Sequence, residues 1–205
     1  MLKELKLGTK KLNVMLSMMS STERKRIHPH KFVLWVAMGS IVMMFAGLTS
    51  AYIVRRSQAN WLTFQLPVIF WYSTFVILLS SLTMHLSVKA FNAREMLRYR
   101  FLITVTAALG VLFALLQCTG FYFLQKGGIN ILWQGSNPSA SFLGVITGLH
   151  VLHVLAGVVA LIVIFIKAFS SRTKTYSSVP LEIIGTYWHF VDILWIYLFI
   201  FFKWI

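Results

Sequence analysis

Acid is scarce in this sequence: five aspartates and glutamates stand against nineteen lysines and arginines in 205 residues. Charged residues of both signs make up only 12%, about half of what a soluble domain carries. With 58% of the chain hydrophobic, that scarcity places it among integral membrane proteins. The one cysteine, Cys118, excludes an internal disulfide. The first 31 residues are basic and lack a long apolar core or a cleavage site, so no signal peptide is expected there. No internal repeat or low-complexity tract interrupts the chain. His28-Pro29-His30 has no cysteine or carboxylate beside it, so it reads as a polar cap at the membrane surface rather than a metal site.

What the chain does have is long apolar runs. A transmembrane helix needs ~20 mostly apolar residues. Five stretches qualify: Phe32 to Val54, Leu66 to Val88, Phe101 to Leu124, Phe142 to Ala168 and Ile183 to Phe202. They leave no room for a soluble domain. The expected fold is therefore all-α, a bundle of five transmembrane helices over residues 32–205, after a basic cytoplasmic leader at 1–31. In the leader, Leu5, Leu12, Met15, Leu16 and Met19 recur at roughly helical spacing. An interfacial amphipathic helix and a disordered basic tail both remain open. Pro67 stands at the start of the second span, where a missing N–H costs little. The connection Gln125 to Ser141, with Gly127-Gly128, Asn137-Pro138 and Trp133, reads as an external loop carrying an interfacial aromatic.

Basic residues set the orientation. Fifteen of the nineteen fall on one side: eight before the first span, then Lys89, Arg94, Arg98, Arg100, and Lys167, Arg172, Lys174. Arg55, Arg56, Lys126 and Lys203 fall on the other. The rich side is expected to be cytoplasmic, with the N-terminus inside and the C-terminus outside. The same clustering argues against nucleic acid as the partner of the net charge of +14.

Ionisable groups at membrane depth are expensive and mark functional candidates. His150 and His153 share one face of the fourth span, and His189 and Asp192 share one face of the fifth. Counting 1.5 Å per residue, His153 lies ~16 Å below the outer edge. Asp192 lies ~12 Å above the inner edge, which puts it at nearly the same depth in a ~30 Å core. Short connections make consecutive helices neighbours, so an imidazole–carboxylate pair locking the two helices is expected. A proton relay and haem ligation by imidazoles from two helices are the functional alternatives. His85 is a further possible ligand but lies near the cytoplasmic end of its span. Gly144, Gly148 and Gly157 offer sites of close helix approach on the fourth span. No pair of Gly/Pro-broken helices appears in matching halves, against a small transporter.

At these residues the chain resembles subunit III of the haem–copper oxidases. The family's T-G-x-H-G-x-H-V-x-x-G motif corresponds to Thr147 through Gly157, and its Y-W-H-F-V-D-x-x-W motif to Tyr187 through Trp195. Glu182 stands where the family has a glutamate, and Leu78 to Thr83 is a weaker match. The resemblance spans about residues 30 to 205 and points to the five-helix bacterial form. It implies a non-catalytic subunit of an aerobic terminal oxidase in the bacterial inner membrane. Such a subunit binds no cofactor of its own, partners subunit I and other subunits that carry haem and copper, supports proton uptake and translocation, and holds structural phospholipid. The residues implied are the buried polar cluster His150, His153, His189 and Asp192, with Glu182 at the cytoplasmic edge. Lys167 lies ~21 Å along the helix from His153, at headgroup level, where it suits a lipid phosphate or plain anchoring. The alternative reading is a haem b-binding anchor that handles quinol. Two departures stand out. Val151 replaces the motif's middle glycine. Ser40 stands where many members have a carboxylate, and no acidic residue occurs between Lys31 and Val54. Ser40 is expected to hydrogen-bond back to the Val36 carbonyl.

Overall fold

The computed structural model describes residues 29–57, 61, 67–127, 138–169 and 179–204. The leader through His28, Trp133, Arg172 and Lys174 lie outside them. Contacts divide the chain after Trp35. Among the described residues the first unit holds only the opening turns of α1, and the packing below concerns 36–205.

Among the described residues five helices follow one another: α1 (Pro29–Arg55), α2 (Ile69–Asn92), α3 (Met96–Lys126), α4 (Pro138–Phe169) and α5 (Val179–Trp204). All are long and apolar enough to cross a membrane. Their 24 to 32 residues span about 36–48 Å at 1.5 Å per residue, more than the ~30 Å hydrocarbon core. Most helix ends therefore run past the apolar stretches, by as much as the turn from Met96 to Arg100 on α3. Apolar composition stops at the polar boundary, but the i→i−4 ladder does not. α2 is the exception at its start. It opens three residues later than its apolar run, after Pro67, whose carbonyl accepts from the Phe70 N–H at 3.1 Å.

Four of the helices form a ring in which α2 touches α3 and α5, and α4 touches α3 and α5. Neighbours run antiparallel. The start of α2 meets the end of α5, where the Lys203 ammonium lies 5.8 Å from the Trp71 ring centroid. At the opposite end, the Arg100 guanidinium of α3 lies 5.4 Å from the Phe169 ring of α4.

The ring packs in heptads. From Phe70 to Ser87 the buried residues of α2 are Phe70, Ser73, Ile77, Ser80, Met84 and Ser87, in alternating steps of three and four, with Ala90 buried one further step of three on. Large apolar residues alternate with serines. On α3 the same steps give Tyr99, Ile103, Thr106, Gly110, Phe113, Gln117, Gly120 and Leu124. This 3.5-residue period is that of left-handed helix packing. Its small residues suit a bilayer, where lipid removes the hydrophobic drive and close packing holds helices together. Hydroxyls and amides stitch the seams. Gln117 Nε2 donates to Ser73 Oγ at 3.1 Å, and Thr106 donates to Thr83 at 2.9 Å.

α1 is held differently. Phe45 and Tyr52 reach from it into a second cluster with Ile146, Leu194, Leu198 and Phe201. Thr49 Oγ1 and Tyr197 Oη share a hydrogen bond of 3.0 Å. Among the described residues α1 is connected to α4 and α5 by side chains, and its backbone approaches none of the other four helices closely.

Candidate functional site

The motif on α5 supplies the centre of the ring. Trp188 is fully buried, and its indole N–H donates to Ser80 Oγ of α2 at 3.1 Å. Its ring fills space left by two glycines. A Cβ added at Gly110 of α3 would lie 2.9 Å from the indole, and one at Gly157 of α4 would lie 3.0 Å from it. One large side chain and three small residues thus make a complete four-helix layer. Gly148, by contrast, has open space around it, so of Gly148 and Gly157 only the latter is a site of close approach.

The neighbouring motif residues each fasten a helix. Tyr187 Oη donates to the His153 backbone carbonyl of α4 at 3.1 Å. His189 Nδ1 and Ser81 Oγ of α2 lie 2.6 Å apart, and the His189 ring centroid is 6.4 Å from that of His85. Trp195 donates to Thr74 Oγ1 at 3.0 Å.

The expected pair of Asp192 and His153 is not formed. His153 Nδ1 lies 2.7 Å from the Leu149 carbonyl of its own helix. A carbonyl only accepts, so Nδ1 carries the proton. Both carboxyl oxygens of Asp192 are buried without a hydrogen-bond partner among the described residues. Depth was the wrong criterion by itself. Asp192 is buried, whereas His153 lies on the half-buried flank of α4, so equal depth leaves them at different azimuths.

His150 is fully buried, and neither ring nitrogen has a hydrogen-bond partner among the described residues. Aromatic rings surround it. Trp195 lies at 5.2 Å and 30°, Phe45 at 6.4 Å and 75°, and Phe113 at 6.5 Å and 88°. Among the described residues no hydrogen bond joins the four residues expected to form one polar cluster, although His150 and His153 both lie against the Phe45 ring. His150 is enclosed by rings, and His153 and His189 bond through Nδ1 to a carbonyl and a hydroxyl. Among the described residues no group of three or more His, Cys, Asp and Glu is placed to hold a metal ion.

At the helix ends, Glu182 lies in the first turn of α5, where a carboxylate suits the positive end of the helix dipole. Lys167 lies exposed in the last turn of α4. Ser40 is exposed on α1, and its hydroxyl donates to the Val36 carbonyl at 3.1 Å, as expected. Because that bond is intrahelical, Ser40→Ala should change stability by less than ~0.5 kcal/mol. A larger shift in the thermal unfolding of the detergent-solubilised protein would contradict this.

Sequence reasoning placed Trp188 in the motif and Ser80 and Ser81 in the weaker match without giving them a role, and missed Gly110. The signal was the sevenfold spacing of Ser73, Ser80 and Ser87, and of Leu143, His150, Gly157 and Ile164.

The fold and the motif together define a multi-pass membrane bundle whose inward polar groups mainly bind helix to helix. Comparison with known proteins agrees and goes further. Residues 62–205 match the family model for cytochrome c oxidase subunit III. A probable cytochrome c oxidase subunit 3 of Nocardia farcinica is 32% identical over 177 residues, covering 82% of each chain. The Corynebacterium diphtheriae cytochrome c oxidase subunit 3 is 30% identical, covering 80% of this chain and 85% of its own. That of Ceratotherium simum is 33% identical over 138 residues, covering 64% of this chain and 48% of its own. The chain belongs to the cytochrome c oxidase subunit III family, a non-catalytic subunit of the haem–copper oxidases that works in complex with other subunits.

Proposed function

We propose that this chain is the accessory subunit seated against subunit I of a haem–copper terminal oxidase in a bacterial inner membrane. Its N-terminus faces the cytoplasm and its C-terminus the outside. There it stabilises the catalytic subunit, sustains proton uptake near the entrance of the proton pathway, and holds structural phospholipid, with Lys167 as a headgroup contact. Haem and copper belong to the partner subunits. One observation supports this reading above the others: Tyr187, Trp188 and His189 direct their polar atoms to neighbouring helices rather than toward an open ligand position.

The test is purification of the tagged chain in mild detergent. It should bring down a large haem–copper subunit, and the Soret absorbance should follow that subunit and not this chain. Isolation as a lone, red, haem-bearing protein would reject the proposal in favour of the haem b anchor.

A further inference from the structure

The α2–α3 turn is built in an unusual way. Ala93 N–H bonds to the Lys89 carbonyl, Arg94 N–H to Phe91 and Glu95 N–H to Ala90, each at 3.0 Å. The chain reverses at Arg94, whose φ is 62°. A residue with a Cβ is disfavoured in that left-handed conformation. The reversal lays Glu95 and Arg98 back over the last turn of α2. Between them is a cavity of about 140 Å³ lined by Leu86, Lys89, Ala90, Ala93, Glu95 and Arg98. That is roughly ten times the 10–15 Å³ one water needs, yet well short of the ~300 Å³ at which whole-ligand pockets begin. It is a space for a headgroup and not for a complete molecule.

Its chemistry is divided. Leu86, Ala90 and Ala93 give an apolar floor, and Lys89 and Arg98 give two cations. Arg98 Nη1 meets Glu95 Oε2 at 3.2 Å. The carboxylate offsets one cation, leaving a net charge of one, which matches the single negative charge of a phosphodiester. A second feature leads away from the cavity. Leu86, Leu82, Leu79 and Phe75 are all exposed, and their spacing of three and four puts them on one face of α2. From Leu86 to Phe75 this stripe runs ~16 Å, about half the ~30 Å hydrocarbon core.

The geometry points to a phospholipid site: one glycerophospholipid of net charge −1, of the phosphatidylglycerol class, with its phosphate between Lys89 and Arg98 and an acyl chain along Leu86, Leu82, Leu79 and Phe75. The site is distinct from Lys167 on α4. It rests on the proposed function only in that the oxidase complex is the form assayed.

The experiment delipidates the purified complex in detergent and adds back dioleoylphosphatidylglycerol, dioleoylphosphatidylcholine or inorganic phosphate. Retention of this subunit on heating and bound lipid by native mass spectrometry are read together. Phosphatidylglycerol should bind and raise the retention temperature, while phosphatidylcholine and inorganic phosphate should not. Lys89→Gln and Arg98→Gln should each weaken lipid binding about fivefold. Arg94→Gly removes a cation outside the cavity and suits the backbone, so it should bind lipid as the unaltered protein does. Lipid binding unchanged in the Lys89→Gln/Arg98→Gln variant would overturn the inference. So would a loss in Arg94→Gly equal to that variant's, because it would mean a diffuse charge belt and no pocket. Protection by inorganic phosphate alone would also overturn it, in favour of a free-anion site. A complex that falls apart during purification reports instead on the proposed function. In that case the same titration on the detergent-solubilised chain decides the pocket by the same criteria.

Discussion

Gly157→Val is expected to dismantle the bundle, and Gly110→Val to do nearly the same. A first added carbon at either position already falls 2.9–3.0 Å from the Trp188 indole. The indole cannot withdraw, because its N–H is tied to Ser80. Overpacking of this kind costs typically 1–3 kcal/mol, and a branched side chain against a rigid ring belongs at the top of that range or above it. Trp188→Ala should also destabilise, for the opposite reason. In a water-soluble core the loss would be ~3–5 kcal/mol, transfer and cavity terms together. In lipid the transfer term largely vanishes, leaving about 2–3 kcal/mol of lost packing. The decisive variant is Gly157→Ala with Trp188→Phe. It should cost clearly less than the sum of the two single changes, since the smaller ring gives the methyl its space. Thermal retention of the subunit in the detergent-solubilised complex measures all of these. Strict additivity would mean that Gly157 and Trp188 do not share a layer.

His150→Leu is expected to stabilise the protein. Both nitrogens of His150 are buried without a hydrogen-bond partner among the described residues, inside a cage of Phe45, Phe113 and Trp195. A polar group left unsatisfied in such surroundings costs about 1–3 kcal/mol. Leucine has a similar volume and carries no such penalty, so a gain of about 1–2 kcal/mol should follow. The same measurement on the complex, with turnover recorded beside it, separates two roles. A more stable subunit with unchanged turnover would make His150 a tolerated liability. A more stable subunit whose complex turns over more slowly would make it a functional group kept at the expense of stability. Destabilisation would show that His150 has a partner, such as a water or a group from another subunit.

The number of spans was legible because each apolar run is long, and the family because Tyr187 to Trp195 matches its motif residue by residue. The phase of each helix was not legible from hydropathy. In a bilayer both the inward and the outward faces are apolar, so Phe75 and Ile77 look alike although one is exposed and the other buried. Only the small and polar residues carry the phase, and Ser73, Ser80 and Ser87 do so at intervals of seven. Depth could be counted along the chain, and that count brought Asp192 level with His153. Azimuth could not, and that is why the pair failed. Trp188 was read as part of the motif but given no role, because its importance lies in glycines on two other helices, which sequence distance conceals.

Attachment of α1 by side chains has a consequence for how the protein is made. α1 leaves the ribosome before α4 and α5, the helices its side chains pack against among the described residues, have been synthesised. It must persist without a packing partner among the described helices while two more, α2 and α3, are threaded in. Its composition suits that wait: its most apolar window has a mean hydropathy of 2.0, and no charged residue lies between Lys31 and Arg55. α5 is the reverse case. It carries His189 and Asp192, has a mean hydropathy of only 1.5, and is the last of the five to emerge. By then Ser80, Ser81, Gly110 and Gly157 are already in the membrane to receive it. Insertion order in this chain thus delivers the most polar motif only after its berth exists.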